Sequence, residues 1–126
     1  MHYIQNLESE TLANEYFRKV IYTDPRFQLV LMSLAPGEEI GMESHELDQF
    51  LRIEAGEGRA IVGKEDYALA DGSAIIVPKG TMHNIINTSD SKPLKLYTIY
   101  APANHSAGTI HKTKEEALAA EMAEHE

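Results

Sequence analysis

The stretch Gly72-Ser-Ala-Ile-Ile-Val-Pro-Lys-Gly-Thr-Met-His-Asn-Ile-Ile-Asn87 reads as two short β-runs separated by a turn. Ala74 to Val77 is apolar and β-branched, as strands are. Pro78 fixes φ and has no N–H to give a ladder, so the first run stops there. Gly80 supplies backbone freedom that other residues lack. His83 to Ile86 forms the second run, and Asn87 closes it. The expectation is a hairpin that delivers the His83 imidazole just inside the start of a strand, pointing into the lumen of a closed barrel.

The same texture continues on both sides. Phe17 to Thr23 is β-rich, and Asp24-Pro25 marks a turn. Phe27 to Leu34 is apolar on both faces, as expected of a strand between two layers. Further strands are predicted over Asp48 to Glu54, Arg59 to Val62, Tyr67 to Leu69 and Leu94 to Tyr100. Glycine, proline, aspartate and serine punctuate the gaps. Many short strands at this spacing indicate an all-β sandwich or barrel. Leu7 to Tyr16 suits a short helical turn or a loop. Ala101 to His111 reads as a loop. Thr113 and Glu116 then form a capping box ahead of a short helix over Ala117 to Ala123, with Leu118 and Met122 on one face.

With 126 residues, the chain is expected to be one domain, residues 1–126, with a barrel core over about 17–101 and a C-terminal loop and helix over 102–126. There is no cysteine, which removes disulfides, thiolate metal sites and cysteine nucleophiles. A net charge of −9 argues against nucleic acid and anionic membranes as partners. No basic, apolar leader opens the chain, and no apolar run is of membrane-spanning length. The expectation is a soluble cytoplasmic protein.

A second polar cluster lies in Pro36 to Gly56. Strand side chains alternate, so Glu43, His45, Gln49, Leu51 and Ile53 share a side. Leu51 and Ile53 are apolar, which makes that side the interior. A buried carboxylate is costly unless paired or metal-bound. With His83, four donors converge: two imidazoles, a carboxylate and an amide. Two imidazoles and a carboxylate with an open position suit iron, manganese, nickel or zinc. Blander readings stand beside this. His83 alone suits a hydrogen-bonded interior histidine. The Gly41-Met42 pair leaves the strand phase at Glu43 open, so Glu43 also fits an exposed loop. Gln49 fits a structural hydrogen-bonding role as well as a ligand. Glu46 and Asp48 fall on the solvent face. His105 and His111 read first as solvated loop histidines, with a pocket-lid role as the alternative. Tyr97 and Tyr100 have opposite parity, so only one can face inward.

Gly72, Pro78, Gly80, His83 and Asn87 fall at the spacing Gly-x5-Pro-x-Gly-x2-His-x3-Asn, the second signature of the cupins. Gly37, His45 and Gly56 resemble the first signature, Gly-x5-His-x-His-x3-4-Glu-x6-Gly. Glu43 stands in place of its first histidine and Gln49 in place of its glutamate. The chain is thus identified as resembling the cupin superfamily. The resemblance implies a double-stranded β-helix, or jelly-roll barrel, with Glu43, His45, Gln49 and His83 as ligands of a divalent transition metal. The exchange of a nitrogen donor for a weaker oxygen lowers the expected affinity for zinc, nickel or copper.

Small cupins of this kind resemble the cupin part of mannose-6-phosphate isomerases. That implies a metal-dependent isomerase or lyase acting on a small sugar or hydroxy- or keto-acid, with Glu43 and Tyr100 as candidate catalytic groups. A metal-dependent dioxygenase and a non-catalytic ligand-binding barrel are the alternatives. Phe50 and Arg52, opposite in phase to Leu51, suggest a homodimer.

Overall fold

The computed structural model describes residues 2–124. The elements run α1 (Leu7–Ala13), β1 (Arg18–Asp24), β2 (Phe27–Leu34), β3 (Asp48–Ala55), β4 (Gly58–Val62), β5 (Glu65–Leu69), β6 (Ala74–Val77), β7 (His83–Asn87), β8 (Leu94–Ala101), β9 (Ile110–His111) and α2 (Lys114–Glu124). The fold is all-β, a two-sheet antiparallel jelly roll with a short C-terminal helix. One sheet has the order β6-β3-β8-β2-β1-β9 and the other β5-β4-β7.

Alternation in the sequence sets which face is buried. On β3, Gln49, Leu51 and Ile53 are buried, while Phe50 and Arg52 between them are half-buried. β8 alternates the same way, burying Leu94, Leu96, Thr98 and Tyr100. β2 is flanked by β1 and β8, and it is buried from Gln28 to Leu34. Leu31, Leu34, Leu51, Ile53, Ile85, Leu94 and Leu96 have no solvent exposure. Each such side chain contributes roughly 1.5–3 kcal/mol relative to exposure, so the core lies between the sheets and is closed by them.

Two true hairpins have tight turns: Asp24 pairs with Phe27, and Val62 with Glu65 across Gly63-Lys64. The pair of runs around Pro78, by contrast, is not a hairpin. β6 pairs with β3 in the large sheet, and β7 pairs with β4 in the small one. The turn itself forms as expected: Thr81 N donates to Pro78 O at 3.1 Å, with Gly80 at φ 80°. A type II turn needs a positive φ at that position. Its role is to carry the chain from one sheet to the other.

The C-terminal region also differs from its sequence reading. The stretch Ala101 to His111 is not all loop, because β9 adds two residues to the edge of β1. Thr113 caps α2, with Glu116 N donating to its Oγ1 at 3.2 Å. The face of α2 that docks carries Ala117, which is buried, whereas Leu118 and Met122 are exposed. A small residue lets the helix approach the barrel closely. The short helical turn expected near the N-terminus is α1, capped by Asn6, whose Oδ1 accepts from Ser9 N at 2.9 Å.

Candidate metal centre

His83 opens β7, directly opposite Val62 of β4. On its other side, β7 is zipped to the segment leading into β3. Ile40 N donates to Ile85 O, and Glu43 and His83 exchange both backbone hydrogen bonds at 2.8 and 2.9 Å. Bridges join Glu39 to Ile86 and Glu43 to His83. Four steps along one segment therefore face three along the other, which is a one-residue bulge. Gly41 sits in it at φ 108°, and its N–H is held by Asn84 Oδ1 at 2.8 Å. The bulge resets the phase at Gly41-Met42 and sets Glu43 beside His83. The turn at Pro78 fixes the next residues, since Gly80 N donates to His45 O at 2.8 Å and Lys79 N to Asp48 Oδ1 at 2.9 Å.

One ligand atom each from Glu43, His45 and His83 lies within 4.8 Å of the others. Glu43 Oε1 is 3.2 Å from His45 Nε2 and 3.7 Å from His83 Nε2. Neither contact is aligned as a hydrogen bond, and both imidazole Nε2 atoms are buried without a partner among the described residues. His83 Nδ1 lies 2.9 Å from Thr81 O. A carbonyl only accepts, so Nδ1 carries a proton, and in the neutral tautomer this leaves Nε2 to ligate. That is the arrangement by which proteins orient a ligating histidine.

Gln49 is 3% exposed on the inward face of β3. Its Nε2 donates to Thr98 Oγ1 at 3.0 Å, and its Oε1 has no partner. Unpartnered buried acceptors are uncommon and need a reason. The donors fit a divalent cation: two imidazole nitrogens and a carboxylate oxygen in mutual reach, with an amide oxygen as a further candidate.

Glu43 and His45 also border a cavity of about 400 Å³ together with Arg18, Tyr100, His105 and His111. Tyr100, rather than Tyr97, is the inward tyrosine; it is buried, while Tyr97 packs beside Phe50. Burial, then the Glu43 charge, raises the Tyr100 phenol above its usual pKa. The Tyr100 ring meets the His45 ring edge-on at 5.7 Å and the His105 ring at 5.5 Å. Burial, then the nearby Arg18, His111 and His45, pushes His105 down to about 4. The reading of His105 and His111 as solvated loop residues is thus corrected: β9 and the segment before it fold them over the cavity. Glu46 and Asp48 are exposed. Arg18 is the residue that sequence reasoning passed over. Its signal was its phase, two residues before the buried Val20 on β1.

A sequence model of the cupin domain matches residues 30–100. The uncharacterized protein YrkC of Bacillus subtilis is 50% identical over 94% of this chain and 67% of its own length. An uncharacterized protein of Acanthamoeba polyphaga mimivirus is 50% identical over 86% of this chain and 70% of its own. The crystal structure of BH2720 from Bacillus halodurans has a TM-score of 0.92 and 44% identity, covering 94% of this chain and 95% of that one.

Proposed function

This chain belongs to the cupin family, and from that premise we propose that it is a metal-dependent enzyme for a small hydroxy- or keto-acid or sugar, working by isomerase or lyase chemistry. Glu43, His45 and His83 would hold iron, manganese, nickel or zinc, with Gln49 Oε1 as a fourth donor. The observation that carries this reading is the pair of buried, unpartnered imidazole nitrogens facing one carboxylate. When bound, such an ion supplies Lewis-acid polarisation of a carbonyl or hydroxyl oxygen. The chain's own groups do the rest. Tyr100, kept protonated by its surroundings, can donate a hydrogen bond to a substrate oxygen. Neutral His105 beside it can accept one. Glu43 is a ligand or, if displaced, a base at the cavity floor. The covering segment 102–111 and α2 limit water access.

The wider proposal is a single-domain cytoplasmic protein over residues 1–126, akin to the mannose-6-phosphate isomerase-like cupins. Among the described residues, no helix is long and apolar enough to cross a membrane. A homodimer is also proposed, supported by half-buried Phe50 and Tyr97 on the outer face and by Ile76, 71% exposed on the edge strand β6.

A second reading is a dioxygenase, favoured by one observation: two histidines and a carboxylate are the donor set of non-haem iron oxygenases. Protein purified without tag or chelator separates the two. Elemental analysis is expected to give one divalent metal per chain. Anaerobic turnover of a hydroxy-acid and sugar panel supports isomerase or lyase chemistry, whereas turnover that consumes oxygen supports the second reading. Metal without turnover leaves a ligand-binding barrel.

A further inference from the structure

Arg18 is 4% exposed, yet no carboxylate lies within 4.0 Å of it among the described residues. Its Nη1 donates to His111 Nδ1 at 3.1 Å, and its Nε is buried with no partner. A guanidinium stays charged at any physiological pH and carries five donors. Burying such a cation without a counter-charge is costly, so a folded protein that does so normally has an anion for it. The Phe17 ring, 5.4 Å from the guanidinium carbon, offers only a weak cation–π contact.

The surroundings show where that anion belongs. Arg18 opens β1 in phase with Val20 and borders the same cavity as Glu43 and His45. Because an arginine only donates, His111 Nδ1 is the acceptor in this contact. Among the described residues, two carboxylates border the cavity, Glu43 and Glu121. Glu43 belongs to the metal donors, and Glu121 is exposed on α2, where solvent screens it. A dication beside Glu43 leaves one net positive charge, and Arg18 adds another.

We propose that Arg18, with Asn104 lining the same cavity, forms a carboxylate-binding subsite beside the metal donors, so that the preferred ligand is an anionic 2-hydroxy- or 2-keto-acid and not a neutral sugar. This inference rests on the proposed function for the position of the metal, and it narrows that proposal to one substrate class. The planar fork of the guanidinium matches a carboxylate in two hydrogen bonds. The acid's neighbouring hydroxyl or carbonyl oxygen is then turned toward Glu43, His45 and His83.

The test is calorimetric titration of glycolate and of its neutral analogue glycolamide, into manganese-loaded and chelator-treated protein, for wild type, Arg18→Gln and Arg18→Lys. Elemental analysis reads metal content separately. Wild type is expected to prefer glycolate, and Arg18→Gln to weaken glycolate roughly tenfold or more while leaving metal content and glycolamide unchanged. If Arg18→Gln does not fold, Arg18→Lys keeps the charge, loses the fork, and is expected to show a smaller loss of the same sign. Equal binding of acid and amide, glycolate affinity indifferent to residue 18, or no glycolate binding in either form of the protein overturns the subsite. Failure of metal uptake refutes the metal reading instead, and the acid-versus-amide comparison in the chelated protein then still decides the subsite.

Discussion

Replacing His83 with alanine separates the ligand role of this residue from its place in the fold. The residue is 2% exposed, and its side chain has one hydrogen bond, from Nδ1 to Thr81 O at 2.9 Å. Truncation removes that bond, orphans a carbonyl and opens a small cavity, for a cost of about 1–3 kcal/mol in the metal-free protein. It also removes a buried nitrogen that lacks a partner, which holds the cost toward the lower end. The backbone bonds between His83 and Glu43 do not depend on the side chain, so β7 stays in register. Metal linkage is the larger effect. A metal at a thousandfold excess over its Kd stabilises the native state by about 4 kcal/mol. Unfolding entropy of about 2.1 cal/mol/K per residue makes that roughly 15 °C in Tm for a chain of 126 residues. Thermal unfolding by circular dichroism, with and without manganese, iron, nickel or zinc after chelation, measures both quantities. Wild type is expected to gain most of that interval and His83→Ala almost none, while still melting cooperatively. A variant whose melting point rises with metal as the wild type's does would refute the ligand assignment.

Three further outcomes are expected. Asn87→Ala loses the donors that hold Leu34 O, Ala35 O and Lys92 O at 3.1, 3.1 and 2.9 Å, and should cost about 2–4 kcal/mol in urea unfolding; a loss under about 1 kcal/mol contradicts the clamp role. His105, held near 4 against an ordinary 6.5, favours the neutral ring, so its contribution is complete above about pH 6.5 and is lost as pH falls toward 4; after a discount for its half-buried position this is on the order of 1–2 kcal/mol, and metal-free His105→Asn should show a flatter stability profile across that window. Gln49→Glu should destabilise the metal-free protein by about 2–4 kcal/mol and tighten divalent-metal binding; unaltered metal affinity in a stable variant would place residue 49 outside the coordination sphere.

The strands were legible because their periodicity is local. Alternation on β3 and β8, and turn residues such as Gly63-Lys64, sit within a few residues of what they determine. Partnering is not local. The stretch from Gly72 to Asn87 contains a well-formed turn, but nothing in it says that β6 will pair with β3 while β7 takes β4. Parity placed Glu43, His45 and Gln49 on one side as though on one strand, yet the first two precede β3, and a glycine bulge resets the phase before them. The cavity's outer wall was least legible. β9 is two residues long, its pairing is with a strand some ninety positions earlier, and that pairing is what brings His111 to Arg18.

Position 49 shows how a hydrogen bond at the edge of the site sets its charge. Thr98 Oγ1 donates to Phe50 O at 2.9 Å, which leaves only lone pairs to offer its other neighbour. The residue facing it must therefore donate, and Gln49 does so through Nε2 at 3.0 Å. A glutamate there would set oxygen against oxygen unless the threonine turned away from the strand it braces. The amide is thus matched to Thr98, and its consequence is electrostatic: Glu43 is the single carboxylate among the four candidate donors. With a dication the set carries one net positive charge, where a second carboxylate would cancel it. That residual charge and the Arg18 guanidinium act in the same direction on an incoming acid, in one small cavity that Arg18, Glu43 and His45 all line. The departure from the two-carboxylate alternative therefore weakens the grip on the metal while strengthening the pull on an anionic ligand, and the two effects can be measured apart in Gln49→Glu by metal titration and glycolate titration.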